Sequence, residues 1–377
     1  MVTRTENTVS ETVGHGAPPR FRYHPRRGLS IPAVTVLDET GRVIEEDQRR
    51  VFRHLVQQGK GADILFGAGT TGEWNRISNL ERQRVIWIET DEVARINREL
   101  SQNEIEPVEA WVGVTGSTRA DTLANLECAL EARADAAVIA PLSIRDLVDV
   151  VSFFQQSVSD LFDRRGRWLP VFLYDNADIA INPRIPHIHT RDVKQLSRLP
   201  FIFGLKVSAS RRVLGNYTKG ASHYKDKGEF GVYVGNAMLM FQVFDLGRGL
   251  AGSVREYWNR YLLHNELPIG VVSGPANVLP REWQRAWRAC YAGDQRLMSI
   301  YKSAFEQFGA ACQFKQGNEK MIASLKHALK LDGVITSDLV AEGTGALDAT
   351  ERREFADRYL MIKKQLAATT DSMWISR

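Results

Sequence analysis

Apolar residues gather along this chain in short runs, and between most runs they recur at helical spacing. Ile31-Pro-Ala-Val-Thr-Val36 is the first run. Glu45 to Gln58 follows with Val51, Leu55 and Val56 on one helical face. Ala62-Asp-Ile-Leu-Phe66 runs into Gly67-Ala-Gly-Thr-Thr-Gly-Glu73, and a long helical pattern covers Asn79 to Leu100. Val108 to Val114, Asp135 to Ala140 and Leu169 to Tyr174 are the next runs, with helical patterns over Ala120–Arg133 and Arg145–Phe162 between them. A short helix is expected over Thr190–Ser197. Pro200-Phe-Ile-Phe-Gly-Leu-Lys206 is the sixth run, Gly231 to Gly235 the seventh and Pro268 to Ser273 the eighth.

Strand and helix in alternation predict a parallel sheet. Eight such units within residues 28–293 match the ~250 residues of a closed (β/α)8 TIM barrel. An open doubly wound sheet would place G-x-G-x-x-G after its first strand, and that pattern is missing here. Past Pro280 only helical patterns follow: Trp283–Tyr291, Gln295–Phe308, Asn318–Leu331 and Ala349–Ala368. Residues 294–377 are thus expected as a C-terminal helical bundle beside the barrel, and residues 1–27 as a flexible arm. Asn216–Glu229 and Gly247–Leu267 read as insertions.

Composition narrows the partners. The 377 residues are 44% hydrophobic, enough for a sizeable core, yet no run approaches the ~18 apolar residues of a membrane helix. The net charge of +4 is small and scattered, with no basic stripe for nucleic acid. Cys128, Cys290 and Cys312 are far apart and odd in number, which fits a reducing compartment, and cytoplasmic localisation is expected. His187-x-His189 has metal-like spacing but lies in a Pro-containing loop, and a metal site needs three or four convergent ligands, so no metal is expected.

The chemistry is expected where the strands end. Lys206 closes the sixth run, Tyr174 the fifth, and Thr70-Thr71 sit in the turn after the second. A lysine among apolar residues is pushed toward its neutral amine, which attacks a ketone to form an imine. A phenol with a hydroxyl partner can carry the proton, a role Tyr174 and Thr70 could fill. The Gly-Thr-Thr-Gly turn offers N–H groups and hydroxyls for a carboxylate. Taken singly, each has a plainer reading: a snorkelling lysine, a core tyrosine, a tight turn. It is their joint placement after strands two, five and six that favours chemistry.

Gly69-Thr-Thr-Gly-Glu73, Tyr174-Asp-Asn176, Gly204-Leu-Lys206 and Ser273-Gly-Pro-Ala-Asn-Val-Leu-Pro280, with Ile31-Pro-Ala-Val-Thr35 and Leu80-Glu-Arg82, resemble the motif series of the dihydrodipicolinate synthase / N-acetylneuraminate lyase family. The resemblance spans about Gly28 to Asp294. It implies a class I aldolase or lyase acting on pyruvate or another 2-oxo acid, with no cofactor beyond the covalent imine on Lys206. By the same resemblance Tyr174 is the proton shuttle, Thr70 and Thr71 hold the carboxylate and support the tyrosine, and Gly72 belongs to the same substrate-binding turn. Gly235 and Val272 match positions whose backbone lines the pyruvate site, and a homo-oligomer, dimer or tetramer, is expected.

Two loops depart from the synthase proper. Pro141-Leu142-Ser143 stands where it resembles Pro-Tyr-Tyr, and Tyr174-Asp-Asn-Ala-Asp-Ile179 where it carries Tyr-Asn-x-Pro-x-Arg. Ser143, Asp175, Asn176, Asp178 and Ser208 are then small polar candidates for a hydroxylated partner such as a sugar acid, with loop capping the other reading of each. The expectation is a Schiff-base lyase, aldolase or dehydratase, working on a sugar-derived 2-oxo acid. A pyruvate-condensing synthase and a non-catalytic binding relative are the alternatives.

Overall fold

The computed structural model describes residues 23–221, 223–224, 229–245, 250, 254, 257–258, 267–314 and 320–375. Eight parallel strands close into a barrel in chain order: β1 Gly28–Pro32, β2 Ile64–Gly67, β3 Glu109–Gly113, β4 Ala136–Ile139, β5 Val171–Asn176, β6 Ile202–Ser208, β7 Gly231–Val234 and β8 Gly270–Val272, with β8 returning to β1. The (β/α)8 TIM barrel with a C-terminal helical extension is thus the fold.

Each strand divides its side chains between two cores, because successive residues face opposite sides of a strand. One set fills the barrel: Ile64, Phe66, Trp111, Val138, Phe172, Tyr233 and Val272. Trp111 stacks on Phe172 at 3.9 Å between ring centroids, and Tyr233 meets both rings edge-on. The other set, with Leu65, Val112, Leu173, Leu205 and Val271 among it, packs against the helices outside. The strands read as unbroken apolar runs because both faces are buried.

Local signals start and stop the helices. Ser78 and Thr118 accept the N–H of Glu81 and Asp121, capping the helices Asn79–Gln102 and Arg119–Glu131. Helix Pro280–Ala292 opens on its proline and stops at Gly293, whose φ of 72° permits the left-handed turn. That helix packs on β1, and Gln295–Ala311, Met321–Leu331 and Ala349–Ile375 continue beyond it. Phe355 and Tyr359 stack on each other and meet Phe308 edge-on, so the C-terminal helices share an aromatic seam. Among the described residues no helix is long and apolar enough to cross a membrane.

Several boundaries differ from the sequence pattern. Strands β5 and β6 run two residues past Tyr174 and Lys206, because the backbone ladder continues through Asp175↔Val207 and Asn176↔Ser208 after the apolar run has ended. Asn216–Glu229 is not simply an insertion: residues up to Ala221 belong to the crossover helix Arg211–Ala221, which buries Leu214, Tyr217 and Ala221. Two glycines and a β-branched Thr218 weaken its helical signature, and packing overrides them. Residues 222 and 225–228 of that stretch, nearly all of Gly247–Leu267 and residues 1–22 of the arm lie outside the described residues.

Residues 23–27 are no loose arm. Tyr23 packs edge-on against Phe203 and Phe172 and donates its hydroxyl to Glu109 (2.8 Å), while Tyr233 donates to the Arg26 carbonyl. This segment caps the end of the barrel where the strands begin, which leaves the opposite end as the mouth.

Candidate active site at the mouth of the barrel

The turn after β2 is fixed by its own backbone and by two distant partners. Ala68 and Glu73 take left-handed conformations (φ 51° and 57°) at its two ends. The N–H groups of Gly72, Glu73 and Trp74 close onto the carbonyls of Gly69, Thr70 and Gly69. Gly72 carries no side chain for a reason: a Cβ there would lie 3.0 Å from the Ala33 carbonyl and from Thr35 Oγ1, and that hydroxyl donates to the Gly72 carbonyl at 2.7 Å. Gly72 was expected to bind substrate. With its N–H and C=O both engaged and its Cα buried, it shapes the turn instead. Thr71 lies against Gly274 after β8, where an added Cβ would stand 3.2 Å from Thr71 Oγ1.

Behind the turn, Glu73 forms a fully buried ion pair with Lys326 of helix Met321–Leu331, at 2.5 Å. Its other carboxylate oxygen accepts the Ala341 N–H (2.8 Å), and the Lys326 ammonium also donates to the Leu339 carbonyl (2.7 Å). Neither charge is left without hydrogen bonds, the condition under which a buried pair is tolerated. The C-terminal helices thereby hold the Thr70–Gly72 turn. The sequence carries no local signal of this, since the partners stand 253 residues apart.

Lys206 and Tyr174 are paired in register on β6 and β5 and face the same interior. Both are buried, at 5% and 6% exposure. Lys206 Nζ stands 3.8 Å from the centroid of the Tyr174 ring and 4.9 Å from that of Phe66. Burial lowers the Lys206 pKa below the ordinary lysine value, against the pull of the Tyr174 oxygen. Burial works against the Tyr174 phenolate, yet the Lys206 charge and hydrogen bonds from Ser208, Thr70 and Asn176 bring its pKa below that of an ordinary phenol.

The Tyr174 oxygen sits in a polar cage. Asn176 Nδ2 donates to it at 3.0 Å, Thr70 Oγ1 lies at 3.4 Å and Ser208 Oγ at 3.3 Å. Ser208 has room only because position 235 is glycine: a Cβ there would fall 2.2 Å from Ser208 Oγ. The Gly235 N–H itself bonds the Val207 carbonyl. Val272 faces the interior on β8 as part of the apolar lining. Ser143 is buried on the short turn after β4, and its hydroxyl has no partner among the described residues.

Asp175 corrects the sequence expectation. It lies between two inward residues and so faces outward, fully buried. It accepts the Ile188 N–H at 3.0 Å and faces His187 Nδ1 at 2.9 Å, tying down the loop after β5 rather than meeting a substrate. Burial raises its pKa, with the Ile188 and His187 contacts opposing. The carboxylate beside His187 comes from a strand, not from the loop the histidine occupies. Among the described residues no cluster of three or more His, Cys, Asp or Glu side chains is arranged to hold a metal. Asp178 is exposed, and its backbone N–H is capped by Asn176 Oδ1 (3.1 Å); Arg145 is exposed as well.

A separate groove of about 700 Å³ lies between the loops after β4 and β5, lined by Leu142, Arg145, Val148, Ile181, Ile185 and His189. It contains neither Lys206 nor Tyr174, so size alone does not locate the chemistry.

Comparison with known proteins agrees with the barrel fold. The model of the Dihydrodipicolinate synthetase family matches residues 25–97, from the barrel floor through the Gly69–Glu73 turn into the following helix. No curated protein matches the chain. Among solved structures, dihydrodipicolinate synthase from Bacteroides thetaiotaomicron is similar with a TM-score of 0.69 at 21% identity, over 90% of this chain and 99% of that one. A catalytic-lysine mutant of sialic acid aldolase from Ruminococcus gnavus gives 0.71 at 15% identity, over 91% and 97%. A prophage protein of the dihydrodipicolinic acid synthase family from E. coli K12, in complex with pyruvate, gives 0.66 at 19%, over 89% and 98%. At these identities the structural likeness speaks to the fold, and the resemblance to the dihydrodipicolinate synthase / N-acetylneuraminate lyase family read from the motifs stands.

Proposed function

We propose that this chain is a class I, imine-forming aldolase or dehydratase of the dihydrodipicolinate synthase / N-acetylneuraminate lyase type, acting on pyruvate or a sugar-derived 2-oxo acid. The observation that carries the reading is the buried Lys206 amine 3.8 Å from the ring of Tyr174, whose oxygen is bonded to Thr70 at the barrel mouth.

In this reading the neutral Lys206 amine adds to the 2-oxo carbon and water leaves, giving a protonated imine. The Tyr174 oxygen takes a proton from the substrate hydroxyl, the carbon–carbon bond breaks, and its electrons pass into the imine as an enamine. A proton returned to the enamine carbon and hydrolysis of the imine release the 2-oxo acid and restore the lysine. The Thr71 hydroxyl and the N–H groups of Thr70 and Thr71 hold the substrate carboxylate, while the Thr70 hydroxyl supports the Tyr174 oxygen and the N–H groups of the next three residues are spent within the turn. Val272 and the Gly235 backbone form the apolar and close-packed walls. The imine is the electron sink, so the reaction needs no metal or organic cofactor.

The buried, unpartnered Ser143 hydroxyl and the Ser208 hydroxyl beside Tyr174 favour a hydroxylated substrate, hence a sugar acid. Asp178 and Ile179 replace the family's carboxylate-gripping arginine region, which disfavours the condensing synthase. The three cysteines are free and buried, in keeping with a cytoplasmic enzyme, and the family resemblance favours a homodimer or homotetramer.

Borohydride reduction in the presence of pyruvate tests the reading. A covalent adduct is expected on Lys206 by peptide mass analysis, and pyruvate release is expected from at least one 3-deoxy-2-oxo sugar acid. Absence of any adduct across a panel of 2-oxo acids would overturn it in favour of a non-catalytic binding relative.

A further inference from the structure

Asn176 lies two residues beyond Tyr174 on β5, so strand alternation puts both on the inner face. Its amide is committed at both ends. Oδ1 accepts the N–H of Asp178 at 3.1 Å, which fixes which end of the amide is which. Nδ2 therefore points inward and donates to the Tyr174 oxygen at 3.0 Å, closer than the Thr70 and Ser208 hydroxyls.

The chemistry of the three neighbours differs. Thr70 and Ser208 are hydroxyls that donate or accept by rotation, whereas an amide N–H only donates. We infer that Asn176 is a positioning residue that sets the polarity of Tyr174, holding its oxygen as an acceptor so that it serves as the base toward the ligand on Lys206. With Asn176 and Thr70 both donating, the phenol's own O–H is left to point at the remaining acceptors, Ser208 Oγ and the Lys206 amine. A donor aimed at the phenolate stabilises the charged form. The hydrogen bond from Asn176 is among the contacts that lower the Tyr174 pKa, after burial has raised it and the Lys206 charge has lowered it. The base role rests on the proposed imine chemistry; the donor role does not.

Two substitutions separate a donor from a cap. Asn176→Asp keeps an oxygen for the Asp178 N–H and nearly the same volume, but removes the donor. Asn176→Leu removes both. Tyr174 is titrated by the ultraviolet absorbance of tyrosinate, as the difference between each protein and its Tyr174→Phe counterpart, with no substrate present. Both variants are expected to move the midpoint up by about one unit, a tenfold change in the ionisation equilibrium. The rate of borohydride-trapped adduct formation with pyruvate is expected to fall about tenfold at pH 7 with half-saturation little changed, as for an interaction lost from the transition state. An unmoved midpoint in Asn176→Asp, with loss confined to Asn176→Leu, would overturn the inference and leave Asn176 as a cap. A moved midpoint without any adduct in the parent protein would sink the imine reading while keeping the donor assignment.

Discussion

Lys206 and Tyr174 are in-register neighbours on β6 and β5, and the amine lies over the face of the phenol ring at 3.8 Å, within reach of a cation–π contact. The ring shields the amine from water while its hydroxyl reaches the polar cage of Thr70, Asn176 and Ser208. One side chain therefore desolvates the lysine and presents a hydrogen-bonded phenol oxygen beside it.

Lys206→Met should abolish borohydride trapping while raising thermal stability. The lowered pKa means that the unfolded chain binds more protons between the folded value and the ordinary 10.5. The cost of burying the amine is full below the folded value and fades as pH rises toward 10.5. The variant's advantage in urea unfolding should therefore be largest at neutral pH and shrink at high pH. A variant less stable than the parent at pH 7 would show that Lys206 carries a structural bond instead.

Breaking the Glu73–Lys326 pair should cost stability and substrate affinity together. Glu73→Gln or Lys326→Met each leaves a buried charge without its partner, at about 3–5 kcal/mol. The double variant should recover part of that loss. Because the pair backs the Thr70–Gly72 turn, the 2-oxo acid concentration for half-maximal trapping should rise in every variant that still folds. An unchanged half-saturation in a folded variant would detach the C-terminal helices from the site.

Asp175→Asn should leave the trapping rate within about threefold while lowering stability by about 1–3 kcal/mol, since the change disturbs buried hydrogen bonds to the loop at His187 and Ile188. Trapping kinetics and urea unfolding on one preparation check it. A large loss of trapping with intact stability would return Asp175 to the substrate side.

Glu89→Gln should stabilise the protein in a pH-dependent way. The carboxyl is fully buried behind β2, where both oxygens face the Gly67 N–H at 2.9 and 3.0 Å. Burial raises its pKa well above 4.5, against the Gly67 hydrogen bond. The folded state then binds the extra proton, so parental stability falls as pH rises from 4.5 toward the folded value. Glutamine keeps an acceptor for Gly67 without the charge. Urea midpoints should differ little at pH 4 and diverge progressively above it. A constant difference across pH would rule out the titration of Glu89 as the cause.

The chain's own pattern determined the barrel, because strands buried on both faces must be apolar throughout and the intervening helices must show one apolar face. It also placed Lys206, Tyr174 and the Thr70–Thr71 turn toward the C-terminal ends of their strands, since polar residues stand out where apolar runs stop. Tertiary structure alone decided which polar residues share the mouth. Asp175 and Asn176 are adjacent and similar in composition, yet the pleat sends one to the loop at Ile188 and the other to Tyr174. Two-residue periodicity held that answer, but only once the strand was known to continue past its apolar run. The grip of Lys326 on Glu73 had no local trace at all, because a buried ion pair is made by packing elements together and not by the residues on either side of it.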